Sequence, residues 1–133
     1  MPGDRIETVR RIYEGWGRGD FRAGTELYDP FVQFILRTGF PDAGVYVGRE
    51  EIRRYTQDDF LADLEGVAIA GEEFIAAGDS VVVHVHQSAT GAGSGVHVAM
   101  RYYQVWTFRG DHVIRIESFR DRADALQAVA LRE

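Results

Sequence analysis

Val81-Val82-Val83-His84-Val85-His86-Gln87-Ser88 is followed by the turn Gly91-Ala92-Gly93-Ser94-Gly95 and the run from Val96 to Phe108. After a second turn at Gly110-Asp111 comes His112 to Phe119. This stretch decides the fold, because it reads as three strands in series. Every second side chain of a strand shares a face. Val81, Val83, Val85 and Gln87 therefore match Val96, Val98, Met100, Tyr102, Gln104, Trp106 and Phe108, and then Ile114, Ile116 and Ser118. The opposite set is His84, His86 and Ser88, then His97, Arg101, Tyr103 and Thr107, then Arg115, Glu117 and Phe119. One face is apolar and the other largely polar, the pattern of an antiparallel sheet with one covered face. Gln87, Tyr102, Gln104 and Ser118 interrupt the covered face, and buried polar groups need partners.

Working outward, Val67 to Ala77 reads as a fourth strand, weakest at Ala70-Gly71, joined to the Val81 strand by Gly78-Asp79. Asp4 to Trp16 reads as a helix, with Ile6, Val9, Tyr13 and Trp16 on one stripe and Glu7 completing a capping box with Asp4. Gly17-Arg18-Gly19-Asp20 breaks it, and Asp20 to Leu27 fits a short second helix. Asp29-Pro30 is a turn signal before a strand from Phe31 to Leu36. Thr38 to Gly48, with Gly39, Pro41, Asp42 and Gly44, reads as a loop long enough to be functional. Arg49 to Leu61 fits a third helix with Ile52, Tyr55, Phe60 and Leu61 inward, and Asp121 caps a last helix that packs through Ala125, Leu126 and Val129. The order predicts one α+β domain over residues 1–133, with helices gathered on one face of a curved antiparallel sheet.

Composition narrows the function classes. A net charge of −6 disfavours nucleic acid and anionic membrane as partners. Without cysteine there is no disulfide, thiol chemistry or thiolate metal site. No apolar run reaches the length of a membrane span and no signal-peptide core is present, so a cytoplasmic location is expected. The glycine-rich turn at Gly91–Gly95 joins two strands, so it lacks the helix N-terminus that would make it a phosphate cradle. His84, His86 and His97 share a strand parity, but on the outer face, and neither a metal nor another cofactor is expected.

Gly19-Asp20, Tyr28-Asp29-Pro30, Gly44-Val45-Tyr46-Val47-Gly48-Arg49-Glu50, Ala77-Gly78-Asp79 and the run from Arg115 to Leu126 stand in a set order along the chain. Together they resemble the SnoaL-like branch of the nuclear transport factor 2-like superfamily. Gly110-Asp111 departs from the Asp-Gly usual in the last hairpin of members. The resemblance covers nearly the whole chain and implies a cone-shaped fold, with the N-terminal helices on the concave face of the sheet. It implies a pocket between them, and frequent homodimers through the outer face. Here that face carries His84, His86, Arg101, Tyr103, Glu117 and Phe119. It does not imply one reaction, since members include polyketide cyclases, epoxide hydrolases, ketosteroid isomerases and binding proteins.

Carried over residue by residue, the known catalytic sets do not survive. The last-strand aspartate of the cyclases and hydrolases falls at Ser118, and the hydrolases' arginine and second aspartate fall at Val85 and Gln87. The isomerases' base falls near Ile35, their first-helix tyrosine at Ile12 and their acidic oxyanion donor at Gln104. The expected pocket comprises Tyr13, Trp16, Phe34, Tyr55, Met100 and Trp106, with Gln87, Tyr102, Gln104 and Ser118 as polar handles. That suits a small, largely apolar ligand. Proton transfer would need a group from outside the sheet, from among Glu14, Glu26, Asp29, Asp42, Asp58 and Asp59, with Asp29 the foremost candidate. A pocket protein that binds a small apolar molecule, and an enzyme on a small hydrophobic substrate, both remain open.

Overall fold

The computed structural model describes residues 2–37, 39–40 and 42–132. Thr38 and Pro41, part of the expected loop, lie outside the described residues. The chain forms α1 (Pro2–Gly17), β1 (Tyr28–Leu36), β2 (Gly44–Val47) and α2 (Arg49–Arg54), which continues as a π-helical turn over Tyr55–Phe60. Then come β3 (Leu64–Ala77), β4 (Ser80–Gly91), β5 (His97–Arg109), β6 (His112–Phe119) and α3 (Arg122–Arg132). The strands make one curved, open sheet in the order β2-β1-β6-β5-β4-β3. All pairings are antiparallel except β1 with β6, which is parallel. No helix among the described residues is long and apolar enough to cross a membrane.

The alternation read from the sequence carries through β4 and β5. Val81, Val83 and Val85 join Tyr102, Trp106 and Phe108 in the main core, against α1 residues Val9, Ile12, Tyr13 and Trp16. In β6 the phase slips. Thr107 faces Arg115 while Phe108 faces Val113, so one residue bulges. Val113 therefore enters the core with Ile116, and Ile114, expected inward, is only half-buried. Val96, just before β5, and Val98, at its start, are exposed.

Other departures have local causes. Asp20 to Leu27 is not a helix but turns ending in one 3-10 turn, Thr25–Leu27. Gly24 sits there at φ 89°, off the right-handed helical path. Asp29-Pro30 does not precede the first strand but lies within it, where the β1–β6 ladder is interrupted between Tyr28 and Gln33. A proline, lacking an N–H, is tolerated at such a break. Part of the expected loop is the short edge strand β2, paired with β1 from Gln33 to Leu36.

The helices do not all share a face. α1 lies against β3, whereas α3 contacts β4, β5 and β6 from the opposite side. There Val82, Val105 and Phe119 form a second core with Ala125 and Val129. Phe119 is thus buried within the chain, and Glu117 is fully buried and ion-paired with Arg37. Neither can serve as an exposed interface anchor. Of the outer-face residues, Arg101 is exposed and ion-paired with Glu72, while His84, His86 and Tyr103 are half-buried.

Candidate functional site

A cavity of about 540 Å3 opens between the sheet and its cover of α1, α2 and the π-helical turn. α1 contributes Trp16, β1 contributes Phe34 and Leu36, and the loop before β2 contributes Phe40 and Asp42. α2 adds Ile52, and the turn that follows adds Tyr55 and Phe60. β3 adds Ile69, β4 adds Gln87, and β5 adds Met100, Tyr102 and Gln104. The π register widens the helix, with Leu61 N donating to Thr56 O at 2.9 Å, and Thr56, Gln57 and Asp59 stand on the cavity wall. Such turns recur at functional sites.

Of the residues expected in the pocket, Trp16, Phe34, Tyr55, Gln87, Met100, Tyr102 and Gln104 line it. Tyr13, Trp106 and Ser118 do not. They stand behind Gln104 in a buried chain of hydrogen bonds. Trp106 Nε1 donates to the Tyr13 hydroxyl at 2.9 Å, and that hydroxyl donates to Gln104 Oε1. Gln104 Nε2 donates to Ser118 Oγ at 3.2 Å. The amide is thus held in one orientation, with a second N–H left over. Nearby, the Tyr102 hydroxyl donates to Gln87 Oε1 at 2.8 Å. Burial pushes the Tyr13 and Tyr102 phenols above their usual range, so both remain proton donors.

Trp16 differs from Trp106. The residue is 8% exposed and its ring packs 5.6 Å from the Trp106 ring, yet its Nε1 is buried without a hydrogen-bond partner among the described residues.

The carboxylate at the cavity is not the one expected. Asp29 is absent from its lining. Its Oδ2 accepts the Phe31 N–H at 2.8 Å and its Oδ1 pairs with Arg109 at 3.2 Å. It stabilises the start of β1, and the short reach of aspartate is fully used there. Glu14, Glu26 and Asp58 are exposed and off the cavity wall. Asp42 and Asp59 are on it, joined by Asp63, which the sequence had not suggested. The Tyr55 hydroxyl donates to Asp42 Oδ2 at 3.2 Å, and the Tyr46 hydroxyl to Asp42 O at 3.1 Å. Burial first, and then the Asp42 charge, push the Tyr55 phenol well up, so it stays a donor to this carboxylate. Arg22, Arg49 and Arg53 also stand on the wall, as do Thr25 and Ser88, and Arg49 donates to Tyr28 O at 3.0 Å.

The positions carried over from catalytic relatives fare unevenly. Val85 is fully buried in the core and Ile12 is packed beside Gly24. One residue beyond Ile12, Tyr13 is the tyrosine that meets Gln104. The outer histidines do not converge. His97 faces Thr90, well along β4 from His86, and His84 stacks on Tyr103 at 4.7 Å. Among the described residues there is no cluster of metal-ligating side chains. Phe40 and Ile69 were missed. Phe40 meets Tyr102 edge-on at 5.4 Å, a contact made by the loop's path rather than by any periodicity.

Comparison with known proteins places this geometry in a family. A family model described as the SnoaL-like domain matches residues 9–116. Among solved structures, TerC crystallised with polyporic acid is 23% identical with a TM-score of 0.76, covering 98% of this chain and 99% of TerC. An NTF2-like protein from Burkholderia thailandensis is 25% identical with a TM-score of 0.73, covering 92% of this chain and 95% of its own. A Jannaschia sp. CCS1 protein bearing the provisional name SnoaL-like polyketide cyclase is 23% identical with a TM-score of 0.72, covering 93% and 90%. No curated protein sequence matches the chain.

Proposed function

The chain belongs to the SnoaL-like domain family, and we propose that it is a pocket protein that holds a small, largely apolar molecule between its sheet and its helical cover. The observation that carries this reading is the cavity itself. Its size of about 540 Å3 lies in the range that takes small organic ligands. Trp16, Phe34, Phe40, Ile52, Ile69 and Met100 make most of its surface apolar, with Gln87, Gln104 and the charged side chains of its wall as polar handles. A folded protein of this size fills such a space with its own side chains unless the space has a use.

A thermal-shift screen against apolar and polycyclic compounds tests it. A ligand that binds only the native state raises the melting temperature. Hits are expected with the native protein and should vanish in Met100→Trp, whose indole would occupy the cavity. Absence of any hit across chemically diverse classes would overturn the reading.

Asp42 supports a second reading, an enzyme of the cyclase, isomerase or hydrolase kind acting on a small hydrophobic substrate. A carboxylate on the cavity wall, held by the Tyr55 hydroxyl, is positioned to accept a proton from a bound molecule. Ser118 is not such a group, being a serine sealed behind Gln104.

A further inference from the structure

We infer that Glu117, buried on the sheet face turned away from the cavity, is a positioning residue for the cavity wall: through Arg37 it fixes where Phe40 stands. Its bearing on binding rests on the pocket reading.

Glu117 and Ser118 are neighbours on opposite faces of β6. Ser118 Oγ receives Gln104 Nε2 behind the cavity wall, whereas Glu117 lies on the far side, level with Ile35 and Val105. Glu117 is fully buried, and the Arg37 side chain that pairs with it is half exposed. Taking a carboxylate out of water is costly, and an ion pair offsets that cost only in part. For stability alone, an apolar side chain beside Val105 would commonly serve as well. What a carboxylate adds is direction, because it dictates where one guanidinium goes.

Arg37 is the residue on which the chain leaves β1. Its N–H donates to Ser118 O at 3.3 Å, so its backbone and its side chain are both tied to β6. Two turns lead on from it. Phe40 N–H donates to Arg37 O at 3.3 Å, and Ala43 N–H donates to Phe40 O at 3.2 Å. They bring Phe40 edge-on to Tyr102 at 5.4 Å and Asp42 to the Tyr55 hydroxyl at 3.2 Å, both on the cavity wall. Arg120 adds a second grip. Its Nη1 donates to Gly39 O at 3.1 Å, and its guanidinium lies 5.8 Å from the centre of the Phe40 ring. Arg120 is exposed, where water and salt weaken such contacts. The pair at Glu117 is the firmer grip, since a charge out of water is felt more strongly by its partner. A side chain on one face of the sheet thereby sets the shape of a cavity on the other.

The test reads the position of Phe40 directly. Protein labelled with 4-fluorophenylalanine carries fluorine at eight rings. The signals of Phe40 and of Phe74, which packs edge-on to Tyr13 away from this segment, are assigned with Phe40→Leu and Phe74→Leu. Affinity is measured alongside with N-phenyl-1-naphthylamine, a neutral apolar fluorophore, with Met100→Trp as the filled-cavity control. Glu117→Gln keeps the shape and removes the charge; Arg37→Leu breaks the pair from its exposed end, in case the first variant does not fold. In both, the Phe40 signal is expected to move while that of Phe74 stays, and the fluorophore should bind about fivefold more weakly, as for part of one displaced ring. Arg37→Lys retains a cation and should keep the Phe40 signal near its native position. A lowered melting temperature with the Phe40 signal in place would assign the pair to stability alone and overturn the inference. So would an equal displacement of Phe40 in Arg37→Lys and Arg37→Leu. Failure of the native protein to bind the fluorophore, with Phe40 displaced in both variants, would count against the pocket reading and leave the positioning standing.

Discussion

Tyr13 and Gln104, on α1 and β5, share a buried hydrogen bond across a sequence separation of 91 residues. The Tyr13 hydroxyl also receives the Trp106 indole proton, so one oxygen joins the helix to two positions on the strand. Tyr13→Phe would leave Trp106 Nε1 and Gln104 Oε1 without partners at once. Each buried orphan costs about 1–3 kcal/mol, so a loss of roughly 2–4 kcal/mol is expected in urea unfolding. Tyr102→Phe, whose hydroxyl bonds only the part-buried Gln87, should cost roughly 1 kcal/mol. Equal losses for the two would show that the network behind Gln104 is not a unit.

Asp42→Asn separates the two functional readings. The amide keeps the shape and can still accept from Tyr55, but it cannot take a proton. If the chain is a binding protein, affinity for a cavity ligand should change by no more than about threefold, the worth of a modest hydrogen-bond change. If it is an enzyme that uses Asp42 as base, turnover of its substrate should fall on the order of 100-fold or more. Calorimetry and a rate assay on the same variant check the two outcomes.

Asp29→Ala should affect stability and leave the cavity untouched. It removes the acceptor for the Phe31 N–H and the partner of exposed Arg109. The expected cost is about 1 kcal/mol from the hydrogen bond, with little more from a surface ion pair. Ligand affinity measured alongside should be unchanged; a large drop would restore Asp29 as a site residue.

Alkaline pH should unfold the protein in one step. Burial raises the phenols of Tyr13, Tyr28, Tyr55 and Tyr102 above their usual value of about 10. The folded state keeps these protons where the unfolded chain releases them. The stability they confer is therefore complete below pH of about 10, and it is lost as pH rises towards the raised folded values. Tyrosinate absorbance and circular dichroism, followed together, should change in the same transition. Ionisation of these phenols well before the loss of secondary structure would contradict their burial.

Much of this could be read from the residues because β3 to β6 form a meander, in which alternation along each strand has one meaning throughout. Reading failed where a single residue changed the geometry. The bulge facing Thr107 and Phe108 exchanged Ile114 for Val113, and Gly24 at φ 89° ended a helix that apolar spacing alone allowed. Strand β2, four residues that begin on Gly44 and stop before Gly48, carries too little pattern to stand out from a loop. The apolar spacing of Ala125, Leu126 and Val129 foretold that α3 packs, but a helix does not encode which side of a sheet it will meet. Strand parity puts Gln87, Met100, Tyr102 and Gln104 on the face that lines the cavity. Parity could not tell lining from backing, so Trp106 and Ser118 were expected at a surface they only support. Asp29 and Asp42 look alike in sequence. Only the path of the backbone decides that one is used up inside β1 and the other reaches the cavity.

The parallel pairing of β1 with β6 sets an order of assembly. The hairpins β3–β4, β4–β5 and β5–β6 close over short turns, whereas Gln33 can find Arg115 only after most of the chain has been made and gathered. Contacts that distant in sequence close late, because the loop entropy they oppose is large. The meander is therefore expected to form first, and β1 with β2 to dock last, bringing Phe34 and Leu36 to finish the cavity wall. Amide hydrogen exchange should show β1 opening at lower free energy than β4 and β5, and a bound ligand slowing β1 most. The cavity would then be the last thing this chain makes and the first it gives up, so an occupant would act as the clasp on its folding.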